Sequence, residues 1–132
     1  MIGVDTNVLL RLLVNDSDVQ SAAAQRFFKE RTARDPAFVG SVVLAELVWL
    51  LRRRFGYSDA QVLRALRAMT STDEFRFEHD GPLRSLVEKE DCKASDVADA
   101  LIAWACEGAK CEKVVTFDKR SARTIPRMEL LS

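Results

Sequence analysis

The chain has little of what metal scaffolds and disulfide frameworks are built from: three cysteines and one histidine in 132 residues. Cys92, Cys106 and Cys111 are odd in number and lack zinc-ligand spacing, and His79 has no second histidine to pair with. A zinc site and a disulfide-stapled fold are therefore excluded, and the cysteines are expected to be reduced thiols of a cytoplasmic protein. Charge of one sign is also missing. Twenty basic residues face twenty acidic ones, which excludes a protein that holds polyanions by bulk charge but permits a basic patch beside an acidic one. No apolar run is long enough to span a bilayer, and no basic-then-apolar leader precedes the first structured segment. The chain is expected to begin its fold at once and to stay in the cytosol. Repeats, low-complexity stretches and linkers are absent, so residues 1–132 read as one domain, large enough to bury a core without staples.

What is present alternates. Ile2-Gly3-Val4 is a short β-like run, and Val8, Leu9, Leu10, Leu12 and Leu13 follow at helical spacing. Asp18 opens a second helical stretch carrying Ala22, Ala23, Phe27 and Phe28. Ala37-Phe38-Val39-Gly40 reads as a strand after the Asp35-Pro36 break. Ser41 reads as the N-cap of a helix from Val42 to about Arg54, stopped by Gly56. Ser58 or Asp59 caps the next helix, with Val62, Leu63, Leu66 and Met69 on one face. Phe75 to Glu78 alternates like a strand. Helices from about Gly81 to Lys89 and from Ser95 to Glu107 follow, the latter closed by Gly108. Lys113 to Phe117 is the clearest strand, and Met128 to Leu131 adds a short last one. Strands separated by helices, with no hairpin signals between them, predict a three-layer α/β/α domain with a mostly parallel sheet of four or five strands. Ligands of such sheets collect at the carboxyl ends of the strands.

Several acids fall there. Asp5 follows the first strand and Asp118 follows the Lys113 to Phe117 strand; as an alternative, each simply caps the element behind it. Glu46 is the only charge between Ser41 and Leu51, in a run apolar on all sides, which predicts a buried helix with a carboxylate needing a cation or a proton. A salt bridge to an arginine such as Arg11, or a place on the helix's wet edge, is the alternative. Asp96 and Asp99, three apart, share a helix face. Capping and the helix dipole account for Asp96 well, whereas Asp99 borders another nearly all-apolar helix. Several carboxylates on one edge suit a hard divalent cation such as Mg²⁺ or Mn²⁺. Without metal they repel one another, so at least one is expected to have a raised pKa. His79 reads as an ordinary surface histidine.

Val4-Asp5-Thr6-Asn7-Val8-Leu9-Leu10, Glu46 within Val43 to Leu47, Asp96-Val97-Ala98-Asp99-Ala100-Leu101-Ile102-Ala103, and Val115-Thr116-Phe117-Asp118 together resemble the PIN-domain ribonucleases, and among them the VapC-type toxins of toxin–antitoxin modules. The resemblance covers nearly the whole chain, and its specificity lies in the ordered set. It implies a Mg²⁺- or Mn²⁺-dependent endoribonuclease whose acids, and metal ligands, are Asp5, Glu46, Asp99 and Asp118. Asp96 matches an additional acid, and Asn7 and Thr116 match polar residues that orient the acids. It implies an RNA substrate, a homodimer and a cognate antitoxin. The number of aromatic and apolar side chains, Phe27, Phe28, Trp49 and Met69 among them, also points to a homodimer and a hydrophobic groove.

The acids would repel RNA unless a basic rim offset them. Lys110, Lys113, Lys119, Arg120, Arg123 and Arg127 supply one in the tail. Arg52-Arg53-Arg54 reads first as favourable charge at a helix C-terminus and second as RNA contact. Phosphoryl transfer through a covalent aspartate fits poorly, because no second acid follows Asp5 by two residues and none precedes it. A PIN-like module that binds RNA or protein without catalysis, its acids kept as structure, is the alternative function.

Overall fold

Segments of two or three residues become strands in this chain and segments of six to fifteen become helices. The computed structural model describes residues 1–14 and 19–132. Its elements are β1 (Ile2–Gly3), α1 (Thr6–Leu13), α2 (Val19–Lys29), β2 (Ala37–Val39), α3 (Ser41–Arg53), α4 (Asp59–Thr70), β3 (Phe75–Phe77), α5 (Asp80–Glu88), α6 (Ala94–Gly108), β4 (Val114–Thr116), α7 (Lys119–Thr124) and β5 (Met128–Leu130). Asp18, the expected start of α2, lies outside the described residues.

All strand pairings among the described residues are parallel, as connections through helices require. β2 sits between β1 and β3, pairing Ile2 with Ala37 and Ala37 with Phe75. β4 pairs with β5, Val114 opposite Met128. The architecture is the expected α/β/α one. Its five strands are hydrogen-bonded as a group of three and a group of two rather than as one ladder.

The main core lies under β1–β3 and is filled by Leu9, Leu44, Leu47, Leu51, Val62, Leu63, Leu66, Leu83, Val87 and Val97, each at most 2% exposed. A smaller cluster of Ala100, Ala103, Ile125 and Met128 seats β5 and α7 on α6. Leu86 and Trp104 touch both clusters. Removing one of the main-core leucines would cost about 2–5 kcal/mol.

Local signals fix most helix starts. Ser58 Oγ accepts from Gln61 N at 3.1 Å and Gln61 Oε1 accepts from Ser58 N at 2.7 Å, a capping box that begins α4. α3 begins differently from the sequence expectation. Gly40, not Ser41, is its N-cap. The Ser41 amide is satisfied at 3.1 Å by the carboxylate of Glu78, just past β3, while the Ser41 hydroxyl is buried without a partner. A long-range carboxylate has taken over what a local hydroxyl was expected to do.

Candidate active site

Two of the predicted acids are N-caps at strand ends. Asp5 caps α1, its Oδ1 accepting from Thr6 N at 2.7 Å, and its side chain is exposed. Asp118 caps α7, its Oδ1 accepting from Ser121 N at 2.9 Å, and it too is exposed. The cap bond occupies one oxygen of each carboxylate, Oδ1 in both. Thr116 Oγ1 accepts from the Asp118 amide at 3.0 Å and fixes that turn. Asn7 is exposed on the first turn of α1, beside Asp5.

Asp99 meets Asp118 through a residue that the sequence reading missed. Ser121 is 2% exposed, and its hydroxyl donates to Asp99 Oδ2 at 2.5 Å while its amide holds Asp118. One residue, through its hydroxyl and its amide, thus ties α6 to the cap of α7. The signal was local: Asp118-Lys119-Arg120-Ser121 places a serine three residues after an N-cap, where its amide must meet the cap.

Asp96 has a different occupation. It is 4% exposed, and its two oxygens accept from Arg120 Nε at 3.0 Å and Nη2 at 2.8 Å, with the Lys93 amide at 2.9 Å from Oδ2. Burial pushes the Asp96 carboxyl up, but the Arg120 guanidinium and the Lys93 N–H outweigh it and hold the group below the usual carboxylate range. Asp118 is also lowered, first by the Ser121 amide, with the Arg120 charge adding to the effect. The raised pKa expected from crowded carboxylates is thus not found at these two groups. Hydrogen-bond donors and a guanidinium lie closer to them than rival acids do.

Glu46 corrects the sequence expectation most. It is exposed, with no hydrogen bond or ion pair among the described residues. α3 buries only one face, through Leu44, Leu47, Val48 and Leu51. Val42 is 84% and Trp49 60% exposed, and Glu46 lies on that same outward stripe. The run is apolar all round, yet neighbours cover only half of it, so the carboxylate needs no buried partner.

The basic rim is thinner than the sequence suggested. Arg120 is committed to Asp96, Lys113 reaches Glu129 at 3.2 Å, and Arg127 lies 4.0 Å from Glu107. Lys110, Lys119 and Arg123 remain without an ion pair among the described residues. Of the arginine triplet, Arg52 pairs with Asp59 at 3.3 Å, while Arg54 lines a groove of about 790 Å³ that also takes in Asp5, Asn7 and Arg11. On the far flank of α3, Arg53 and Trp49 line a second groove of about 540 Å³ with Lys93. His79 is half-buried, its ring 5.4 Å from that of Trp104 and its Nε2 3.8 Å from Glu78.

Ser121 therefore links Asp99 with Asp118, while Asp5 and Glu46 stand at the start of α1 and on α3, which pack together. Among the described residues no three acids, histidines or cysteines are close enough to enclose one ion. The donor set is nevertheless oxygen only, and Asp5 and Asp99 each use a single oxygen internally. That chemistry fits Mg²⁺ or Mn²⁺, which are ordinarily held by one or two carboxylates, waters and substrate phosphates rather than by a closed protein cage.

No match to a curated protein was found. The PIN-domain model matches residues 2–125, a span that takes in all four acids and every element through α7. The chain belongs to the PIN-domain family, whose fold is that of a nuclease.

Proposed function

We propose that this protein is a Mg²⁺- or Mn²⁺-dependent endoribonuclease, the toxin of a toxin–antitoxin pair that blocks translation and growth. The observation that carries the reading is the Ser121 bridge, which sets Asp99 and Asp118 side by side at a strand end. Asp5, Glu46, Asp99 and Asp118 are the catalytic acids and ion ligands in this reading. Asp118 is an ionised carboxylate at neutral pH, and the Ser121 amide lowers its pKa further. Ser121 occupies one oxygen of each neighbour, Asp118 Oδ1 and Asp99 Oδ2. Asn7 and Thr116 orient Asp5 and Asp118. A bound divalent ion supplies polarisation of the phosphate and a water of lowered pKa. Lys119, Arg123 and Arg54 offset the repulsion between these acids and the RNA backbone. Asp96 serves the site by anchoring Arg120, and with it the start of α7.

A homodimer and a cognate antitoxin belong to the same proposal. Val42, Trp49 and Ile102 leave apolar surface on α3 and α6 that suits a second copy or an amphipathic segment. No helix among the described residues is long and apolar enough to cross a membrane, and a cytoplasmic place of action is proposed with the RNA substrate.

The test is cleavage of RNA by the purified protein with Mg²⁺ or Mn²⁺, repeated with chelator and with Asp99→Asn. Cleavage is expected to stop in both controls, and the ion to raise the melting temperature of the parent but not of the variant. Activity that survives chelation would overturn the metal-dependent reading. Activity that survives Asp99→Asn would overturn the site assignment. No cleavage under any condition, with RNA still bound, would favour the non-catalytic module.

A further inference from the structure

α6 ends in a reversal that places two cysteines against each other. Residues five apart in a continuing α-helix lie about 140° apart around the axis, so their side chains do not meet. Here the helix stops. Lys110 takes φ 65°, the left-handed conformation. The Cys111 amide donates to the Cys106 carbonyl at 2.9 Å, and the Lys110 amide donates to the Glu107 carbonyl at 2.9 Å. These two bonds are the signature of the Schellman motif, which folds the chain back so that the side chains at its outer positions touch. In most proteins that contact is between apolar residues. In this one the outer positions are Cys106 and Cys111.

We propose that Cys106 and Cys111 form a dithiol that small-molecule disulfides convert, reversibly, into an intramolecular disulfide across the end of α6. Both thiols are free, Cys106 half-buried and Cys111 exposed. Burial raises the Cys106 pKa, and the adjoining Cys111 thiol, within hydrogen-bonding reach, raises it further. The outer thiol is therefore the one that meets an oxidant, and the inner one resolves. Cys111 loses its proton and attacks one sulfur of the small disulfide, expelling one thiolate and forming a mixed disulfide. Cys106 then loses its proton and attacks Cys111 Sγ, expelling the second thiolate. The two released protons go to the two expelled thiolates, so one dithiol and one disulfide become one disulfide and two thiols. Cys92 takes no part, being buried ahead of α6, with its thiol pushed up to about 11 chiefly by burial.

The full chain is incubated at mildly alkaline pH with excess oxidised glutathione, the remaining thiols are alkylated, and the protein is digested with trypsin. Cleavage after Lys93, Lys110 and Lys113 leaves Cys106 in peptide 94–110 and Cys111 in peptide 111–113. The two are expected to run as one disulfide-linked species that separates on reduction. Cys92→Ser is expected to give the same species, and Cys106→Ser or Cys111→Ser to abolish it. Circular dichroism of each variant checks that the fold is intact. A stable glutathione adduct on Cys111 with Cys106 still open to alkylation would overturn the proposal. A cross-link through Cys92, chains joined through Cys111 on a non-reducing gel, or no oxidation at all would do the same.

Discussion

Ser121 and Arg120 are neighbours in sequence with opposite duties, one toward the proposed site acids and the other toward a buried acid. Ser121→Ala removes the hydroxyl from Asp99 but leaves the amide on Asp118. RNA cleavage is expected to fall at least about tenfold, and stability by about 1.5–3 kcal/mol, the usual range for a lost hydrogen bond to a charged group. A urea titration beside the cleavage assay reads both. A stability loss with undiminished cleavage would make Ser121 a purely structural residue. Arg120→Ala leaves Asp96 buried and unpaired, at a cost of roughly 3 kcal/mol near pH 7. Its pH dependence has a definite sign. With Arg120 present, the folded Asp96 pKa lies below the unfolded value of about 3.9, so the stability it contributes is full above that value and is lost as pH falls through the folded pKa. Without Arg120, burial is opposed only by the Lys93 amide and charge, so the folded pKa lies above that of the parent and less stability is lost on acidification. The gap between parent and variant in urea midpoint should therefore narrow on acidification. A gap that widens toward acid would contradict this account. The strand-end aspartates were legible in the sequence because a strand followed by Asp is a local pattern. Ser121's bond to Asp99 was not, because it joins residues brought together only by packing.

Helix α3 shows why an apolar run does not reveal its own burial. Its sequence offers apolar residues around the whole circumference, and the fold covers only the face of Leu44, Leu47, Val48 and Leu51. The type and approximate limits of the elements were readable from period and punctuation, since α3 and α6 begin and end within a residue or two of their signals and α4 begins at its Ser58 cap. Which face a neighbour covers is decided by tertiary packing, and that misplaced Glu46. The uncovered face carries a prediction of its own. If Val42 and Trp49 are the seat of the proposed homodimer, Val42→Arg should convert a dimer to a monomer in multi-angle light scattering at micromolar concentration. Its melting behaviour should otherwise change little, because Val42 is 84% exposed. A parent that is already monomeric would remove the dimer and leave the nuclease proposal standing.

The molecule as a whole is held by two unequal cores. The three-stranded group rests on the large leucine-rich cluster, whereas β4, α7 and β5 rest on Ala100, Ala103, Ile125 and Met128 with help from Leu86 and Trp104. On their outer face Val115 and Leu130 are 52% and 45% exposed. A unit with so little buried apolar surface has little to lose by opening, and it can open while the rest stays folded. Amide hydrogens of Val114 to Thr116 and Met128 to Leu130 should then exchange with deuterated water orders of magnitude faster than those of Ala37 to Val39. Equal protection in the two groups would show a single cooperative unit. Asp118 rides on the looser unit and Asp5 on the tighter one, with Asp99 on the helix between them. Detachment of the looser unit separates the pair joined by Ser121 without unfolding the domain, so the chain's lifetime as a folded body and its lifetime as a complete site become two different quantities.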